Sequence, residues 1–223
     1  MTTVAVVPVK PLRRGKSRLA GVLSVEERAL LNRYLFTRTL EILRAVPAIE
    51  QVLVVSRDSA ALALAREHGA HTLQEQSDSR LNLALRRAVA ILRPALVSTI
   101  LVLPADLPLL SVEDVRALLE ARPQPRGLAI APNATGTGTN GLAVAPPDAI
   151  EFAYGEDSFH KHLALAEKAG LPVAIVRRTG LARDLDYPQD LALVADVFPE
   201  FAARAPVSVP SSFGHFTIRV SAD

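Results

Sequence analysis

Short runs of β-branched and other apolar residues alternate with longer segments of helical periodicity along most of this chain. This alternation constrains the fold more than any other feature, because such runs predict strands and the segments between them predict helices. The predicted strands cover residues 4–9, 51–56, 99–103, 128–131, 142–145 and 173–176. A repeated strand–helix order gives a mainly parallel sheet with helices on both faces. We therefore predict an α/β fold of this kind.

The segments between the strands carry helix signals at both ends. Ser24 and Ser111 each precede an acidic residue by three positions, which is a capping box. Gly170 suits a helix C-terminus and Pro188 suits a first helical position. The predicted helices cover 25–45, 58–69, 80–92, a segment opening at 111, 158–169 and 188–198. The strands near 128 and 142 have no helix between them, so we predict antiparallel pairing there.

Composition narrows the class of protein. A chain of 223 residues with 49% hydrophobic residues suits one α/β domain with a substantial core. Lys and Arg number 25 against 23 Asp and Glu, a balance that argues against nucleic-acid binding. No cysteine, no membrane-length apolar run and no signal-peptide pattern is present, so we expect a cytoplasmic protein. We predict one domain over 1–198 and a C-terminal appendage, 199–223, that is rich in Pro and Ser at its start.

The segment VPVKPLRRGKSRLA, residues 7–20, concentrates basic charge directly after the first predicted strand. Its basic residues are Lys10, Arg13, Arg14, Lys16 and Arg18. In open parallel sheets, ligands bind beyond the carboxyl ends of the strands, so this loop can surround a polyphosphate. Gly15 allows backbone amides to turn toward an anion. The glycine spacing matches neither a Walker A loop nor GxGxxG, and the alternative is a solvated basic turn.

Two acidic segments occupy similar positions. Asp106 follows the predicted strand 99–103 within LPADLPLLS, and Asp184 and Asp186 flank Leu185 in ARDLDYPQDL. Mg²⁺ prefers carboxylate oxygens and uses one or two of them together with substrate phosphates, so the two segments predict a metal site. The alternatives are a turn aspartate at 106 and a helix cap at 184 or 186.

Two further segments offer small and hydroxyl residues. ATGTGTNGL, residues 134–142, alternates Thr with Gly and can bring backbone close to a ligand, or can simply connect two strands. YGEDSFHKH, residues 154–162, places Ser158 at a predicted helix start, where amides can meet an anion. His160 and His162 do not share a helix face, so we predict surface histidines and no metal pair.

These segments together resemble one family. VPVKPLRRGKSRL, LN.AL at 81–85, ADLPLL, GTGTNGL, G..SF at 155–159 and D.D.P.DL at 184–191 occur in the order found in the CofC/FbiD-like guanylyltransferases, over roughly residues 1–197. The resemblance implies a Rossmann-like nucleotidyltransferase fold of the glycosyltransferase-A type. It also implies that the phosphate of phosphoenolpyruvate or 2-phospho-L-lactate attacks the α-phosphorus of GTP, with Mg²⁺ as cofactor, in coenzyme F420 biosynthesis.

The resemblance also implies roles for individual residues. The catalytic residues would be Lys16, Arg18 and Asp106, and the metal ligands Asp106, Asp184 and Asp186. The nucleotide would contact Lys10, Arg13, Gly15, Lys16, Ser17, Arg18 and Asn82, with Asn82 at the base. The phosphorylated acceptor would contact Thr139, Gly155 and Ser158. The expected partners are GTP and a small phosphorylated three-carbon acid, with no nucleic acid and no membrane, and a homodimer is compatible with the sequence.

The sequence departs from the family pattern at several positions. Glu156 and Asp157 stand where small residues are expected before the serine, which adds negative charge beside an anionic acceptor. Tyr187 replaces a commoner threonine, a change we expect to matter for helix capping. One alternative is a related nucleotidyltransferase for 3-phosphoglycerate, a sugar phosphate or molybdopterin, although the sugar-phosphate and molybdopterin enzymes usually carry an LxGGxGxR-type loop after the first strand. A second alternative is a nucleotide-binding module without catalysis, against which the acidic pair argues.

Overall fold

The computed structural model describes residues 2–75, 81–92, 97–205 and 219–220, which form a mixed sheet flanked by helices. The strands are β1 Thr2–Pro8, β2 Gln51–Ser56, β3 His71–Gln74, β4 Val97–Val102, β5 Gly127–Pro132, β6 Thr139–Ala145, β7 Val173–Ile175 and β8 Arg219–Val220. The α-helices are α1 Val25–Arg44, α2 Ser59–Glu67, α3 Leu81–Leu92, α4 Val112–Ala121, α5 Ser158–Lys168, α6 Thr179–Ala182 and α7 Pro199–Ala202. Short 3-10 helices span Ser17–Leu19 and Pro188–Val194.

The strand order is β3-β2-β1-β4-β6-β5-β7-β8. The pairs β1–β2, β1–β4, β2–β3 and β5–β7 are parallel, which confirms the predicted mainly parallel α/β fold. The hairpin β5–β6 is antiparallel, as its missing helix predicts, and β6 also runs antiparallel to β4. Strand β3 is absent from the predicted set, because its residues HTLQ lack an apolar alternation.

Each face of the sheet is covered by helices. Alternate residues of β1 point to opposite sides, so Ala5 and Val7 pack in one buried cluster and Val4 and Val6 in another. The first cluster contains buried residues of α1, α2 and α4, and the second contains residues of α3 and α5. Burial on both faces explains why β1 is apolar without interruption. Its carboxyl end is therefore a rigid platform for the loop that follows.

A third buried cluster lies beside this platform. Leu19 and Leu31 pack there with Leu185, Phe198 and Phe201. It joins the basic N-terminal loop to the acidic segment around Leu185, which are far apart in sequence, and so it fixes the geometry of the charged residues that both segments carry.

The helix that the sequence predicts over residues 188–198 is shorter in the structure and of another type. The structure has a 3-10 helix at Pro188–Val194. Asp190 Oδ2 accepts the backbone amides of Asp186 and Tyr187 at 3.0 and 2.7 Å, so it caps the tight first turn. Capping of both amides by one carboxylate keeps Asp186 close to the start of this helix.

The C-terminal segment contacts the rest of the fold where it is described. Phe201 of α7 is buried in the third cluster, and β8 pairs antiparallel with β7. Residues 206–218 and 221–223 of the predicted appendage lie outside the described residues. The division at 198 stays a prediction. None of the helices in the described ranges combines the length and apolar character that crossing a membrane requires.

Candidate active site

Three charged residues from three loops meet at the carboxyl edge of the sheet. Lys16 Nζ lies 3.0 Å from Asp106 Oδ2 and 3.2 Å from Asp186 Oδ1. Lys16 follows β1 and Asp106 follows β4, and these strands are parallel neighbours, so their loops emerge side by side. The structure thus brings together a predicted phosphate-binding cation and two predicted metal ligands.

Lys16 is held in an unusual environment. Its backbone adopts a left-handed conformation, with φ of 57°, and its side chain is only 5% exposed. Burial lowers the pKa of Lys16, but the charges of Asp106 and Asp186 and their hydrogen bonds outweigh that effect and leave the pKa raised. The ammonium is therefore firmly protonated and held between two carboxylates, each about one-third exposed.

Arg18 completes this charged cluster from the first 3-10 helix. Its Nη1 lies 2.7 Å from Asp186 Oδ2, and its guanidinium carbon lies 4.8 Å from the centre of the Tyr187 ring. A cation over an aromatic face is attracted by the ring quadrupole. Tyr187 therefore does more than the capping role we expected, because it supports the Arg18 side chain.

The basic loop is anchored at its centre by residues whose role the sequence analysis did not predict. Asp58 Oδ2 accepts the Leu12 amide at 2.8 Å while Asp58 also caps α2, and Asn32 Nδ2 donates to Leu12 O at 2.7 Å. A Cβ on Gly15 would lie 2.7 Å from Asn32 Nδ2. The Gly15 amide donates to Pro11 O, so the glycine serves close packing here and not anion binding through its own N–H.

A cavity of about 460 Å³ opens beside the charged cluster. Its lining includes Pro8, Lys10, Gly15, Lys16, Arg57, Leu81, Ala84, Asp106 and Asp186. This size lies within the range of small-molecule sites. Of the predicted nucleotide-binding residues, Lys10, Gly15 and Lys16 line it. Arg13 lies outside the lining and pairs with Glu26 on the surface at 2.7 Å, and Ser17 begins the first 3-10 helix.

The two acidic segments are joined through their backbones. The Leu185 amide donates to Asp106 O at 3.0 Å, and the Leu185 side chain is fully buried. Burial raises the pKa of Asp184, and the charge of Asp106 raises it further. The Asn140 side chain lies near this carboxylate and partly opposes the rise in its pKa. Asn140 Nδ2 is buried and has no well-aligned hydrogen-bond partner among the described residues.

The carboxylate oxygens of Asp106 and Asp184 are suitable ligands for a divalent cation. Asp106 and Asp184 repel each other, and a cation between them would relieve the repulsion. Within the described ranges, however, no three carboxylate, imidazole or thiol groups converge closely enough to form a complete metal site. Lys16 bridges Asp106 and Asp186 instead. The set suits a metal that takes two protein carboxylates and completes its shell with phosphate oxygens and water.

The residues predicted to bind the acceptor meet at the start of α5. Ser158 Oγ accepts the Thr139 amide at 3.0 Å, and both side chains are buried. Gly155 has φ of 125°, which only glycine adopts readily. Asn82 forms two hydrogen bonds with the Tyr154 backbone, at 2.8 and 3.0 Å, and is absent from the cavity lining. Its amide therefore holds the segment before Gly155, and its contact with the base stays a prediction.

The prediction that His162 is a surface residue is wrong. Its ring is fully buried, with Nδ1 3.0 Å from Thr139 Oγ1 and Nε2 accepting the Ala153 amide at 2.9 Å. Burial lowers the pKa of His162 to about 4. The i,i+2 spacing concealed this, because it describes one helix and not the strand and loop packed against it. His160 is exposed, as predicted.

Two acidic residues precede Ser158, and each contacts a basic side chain of α5. Asp157 adopts a left-handed backbone conformation and its Oδ1 lies 2.6 Å from His160 Nδ1. Glu156 is exposed, and its carbonyl accepts from Lys161 Nζ at 2.6 Å. The Asp157 carboxylate thus has a basic partner on the first turn of α5, whereas the hydrogen bond at Glu156 is made to its backbone carbonyl and leaves the charge of its carboxylate in place.

The comparisons with known proteins agree with this arrangement. The family model described as guanylyl transferase CofC like matches residues 3–195. The chain belongs to the CofC-like guanylyl transferase family. Its members are nucleotidyltransferases, so the protein is an enzyme of that class.

Two curated relatives in the family are named for different acceptors. A phosphoenolpyruvate guanylyltransferase of Sphaerobacter thermophilus is 42% identical over 213 residues, which cover 95% of this chain and 98% of the relative. A 2-phospho-L-lactate guanylyltransferase of Methanothermobacter thermautotrophicus is 33% identical over 192 residues, covering 86% and 83%. The family resemblance stated from the motifs is therefore confirmed.

Solved structures confirm the nucleotidyltransferase fold. A nucleotidyl transferase from Methanothermobacter thermautotrophicus superposes with a TM-score of 0.64 at 17% identity, covering 89% of this chain and 98% of that one. Glucosyl-3-phosphoglycerate synthase from Mycobacterium tuberculosis, in complex with Mn²⁺ and uridine diphosphate, gives 0.61 at 12% identity and covers 99% and 87%. At these identities, the similarity shows the shared fold alone.

Proposed function

We propose that the protein transfers a guanylyl group from GTP to the phosphate of phosphoenolpyruvate or 2-phospho-L-lactate and releases pyrophosphate, in coenzyme F420 biosynthesis. The observation that carries the proposal is the convergence of Lys16 with Asp106 and Asp186 beside a 460 Å³ cavity in a chain of this family. Two relatives named for these two acceptors support it.

The triphosphate of GTP would lie along the basic loop. Lys10 and Lys16 line the cavity, and Arg18 extends the positive charge at its rim. Because the pKa of Lys16 is raised, its ammonium stays charged and can neutralise phosphate oxygens. Phosphoryl chemistry is catalysed mostly by alignment and by such charge stabilisation. Lys16 would exchange its carboxylate partners for phosphate oxygens when the nucleotide binds.

A divalent cation, which we propose to be Mg²⁺, would be held by Asp106 and Asp184, with Asp186 next to them. When bound, it would neutralise charge on the triphosphate and the leaving pyrophosphate. The protein's own part is to fix the carboxylates, which it does through the Leu185–Asp106 backbone hydrogen bond and the burial of Leu185.

The acceptor would bind through Thr139, Gly155 and Ser158. An oxygen of its phosphate attacks the α-phosphorus of GTP, the bond from that phosphorus to the bridging oxygen breaks, and pyrophosphate departs with the electron pair. A phosphate monoester is largely dianionic at neutral pH, with a second pKa of about 6, so no general base is required. This agrees with a site built from cations, carboxylates and hydroxyls.

A pyrophosphate-release assay with GTP and Mg²⁺ tests the proposal. We expect turnover with phosphoenolpyruvate or 2-phospho-L-lactate, and little with 3-phosphoglycerate or a sugar 1-phosphate. Turnover with a sugar 1-phosphate alone would refute the acceptor assignment. GTP binding without any turnover would instead support the nucleotide-binding module. A homodimer stays a prediction that sedimentation analysis of the same preparation decides.

A further inference from the structure

The hydrogen bonds of His162 determine where its proton lies. The Ala153 amide can only donate, so Nε2, at 2.9 Å, must accept with its lone pair. A neutral imidazole then carries its proton on Nδ1, which faces Thr139 Oγ1 at 3.0 Å. The full burial of the ring disfavours the doubly protonated form, which would also turn an N–H toward the Ala153 N–H.

This tautomer sets the direction of the Thr139 hydroxyl. Because Nδ1 carries the proton, Thr139 Oγ1 cannot donate to it, so the hydroxyl hydrogen points away from the ring; Thr139 Oγ1 accepts from Nδ1 at 3.0 Å, with the Ser158 backbone as a second acceptor near the ring. Ser158 is biased in the same way, since its Oγ accepts the Thr139 amide. Both oxygens receive a hydrogen bond from the protein, and both hydroxyl hydrogens are left to donate.

The hydroxyl groups of Thr139 and Ser158, both oriented as donors, favour a ligand that presents hydrogen-bond acceptors. Phosphate dianions and carboxylates present only acceptors, whereas a sugar hydroxyl must place its own hydrogen as well. The imidazole also ties together β6, which carries Thr139, and the segment before Gly155, through Ala153. One buried side chain therefore orients two of the three parts proposed to contact the acceptor.

We propose that His162 is a positioning residue that, through its Nδ1–H, fixes the Thr139 hydroxyl as a hydrogen-bond donor to the anionic acceptor. This inference rests on the proposed function for the identity of the ligand. The tautomer itself is a property of the free protein, so it can be measured independently of turnover.

The first test is nitrogen-15 NMR of the imidazoles in the free wild-type protein, with the His162 signal assigned by its loss in His162→Phe or His162→Asn. We expect a neutral ring protonated on Nδ1 and unprotonated on Nε2 between about pH 6 and 8. A ring protonated on Nε2, or on both nitrogens, would overturn the proposal. Absence of pyrophosphate release with every phosphorylated acid would refute the proposed function but would leave this measurement valid.

The second test is kinetic. His162→Phe keeps the ring volume but removes both nitrogens, and we expect it to raise KM for the acceptor about tenfold while KM for GTP is unchanged. His162→Asn retains a donor toward Thr139 and should recover much of this loss. Thr139→Val combined with His162→Phe should raise KM for the acceptor by less than the product of the two single effects, because both remove the contact between Nδ1 and Thr139 Oγ1 and only His162→Phe also removes the Ala153 contact.

His71→Phe is the matched control, since His71 is exposed in the edge strand β3. It should change neither KM. If a folded, active His162→Phe enzyme keeps a normal KM for the acceptor, or if the two substitutions are additive, His162 does not position Thr139 and the proposal fails.

Discussion

Lys16 Nζ lies 3.0 Å from Asp106 Oδ2, although the two residues are 90 positions apart in the sequence. With Asp186 at 3.2 Å, the ammonium sits between two carboxylates in a space that leaves its side chain 5% exposed. The free protein thus places a cation of its own where the proposed reaction requires positive charge.

Lys16→Met should abolish most turnover and lower stability by about 1–2 kcal/mol, because Asp106 and Asp186 lose their shared partner. The folded-state pKa of Lys16 is raised above its ordinary 10.5, so its stabilising contribution is complete below that pH and declines as the pH rises through the folded value. Thermal melts should therefore show the difference between the wild type and the variant shrinking above pH 10.5. A difference independent of pH would contradict this.

Asp106→Asn preserves shape but removes a charge that faces Lys16 and Asp184. We expect turnover to fall by about two orders of magnitude or more, as for loss of one strong electrostatic contact in a transition state. Melting temperature should change little, since the Asn oxygen can still accept from Lys16 Nζ and the repulsion between residues 106 and 184 is relieved. Exposed Asp196→Asn is the control. Near-normal turnover with an unchanged Mg²⁺ requirement would remove Asp106 from the site.

Arg18→Ala should weaken GTP binding and not metal dependence. We expect KM for GTP to rise about tenfold, with a stability loss below about 1 kcal/mol because an exposed ion pair contributes little. Arg116→Ala is a matched control, since Arg116 is also 56% exposed and paired with an acid, Glu120, at 3.7 Å. An equal effect of both substitutions on KM would show that Arg18 has no specific contact.

Asp184→Asn should make the metal-free protein more stable and less active. Burial and the nearby Asp106 charge raise the pKa of Asp184. The ionised carboxylate therefore destabilises the folded state above that pKa, and this destabilisation disappears as the pH falls below it. Relief of this destabilisation would raise the melting temperature. Calorimetry without Mg²⁺ checks this, and a lower melting temperature would contradict the prediction.

A chain ending at residue 205 should remain folded and active, because it keeps α7 and buried Phe201. Phe201→Ala in the full chain should cost about 3 kcal/mol through the cavity it creates, whereas Val197→Ala, at an exposed position, should cost little. Melts and gel filtration provide the measurements. If the shortened chain is insoluble or changes its oligomeric state, residues beyond 205 complete the core or an interface.

Much of this site could be predicted because it follows from strand order. Parallel strands emerge at one edge, so Lys16 and Asp106 were expected on the same side of the sheet. The sequence likewise places Asp184 and Asp186 on either side of Leu185, whose burial follows from the alternation of an extended segment. These inferences need only local patterns and a topological rule.

Other features depend on tertiary contacts that no local pattern contains. His162 is buried because residues 9 and 23 positions away supply its partners. Strand β3 has four residues and pairs on one side only, so its sequence need not be apolar. Asp58 caps α2 with one carboxylate oxygen, but its second oxygen accepts the Leu12 amide, 46 residues away, and this contact has no signal in the sequence.

The hydrogen bond from the Leu185 amide to Asp106 O makes the acidic edge part of the cooperative unit of folding. Protein segments open locally when few buried contacts hold them, but Leu185 is fully buried in a cluster that also contains helix α1 residues Leu31 and Leu35. Its amide should therefore exchange with deuterium only when the whole domain opens. The charged edge then cannot melt separately from the sheet, and the arrangement of Lys16, Asp106 and Asp186 persists for as long as the domain stays folded.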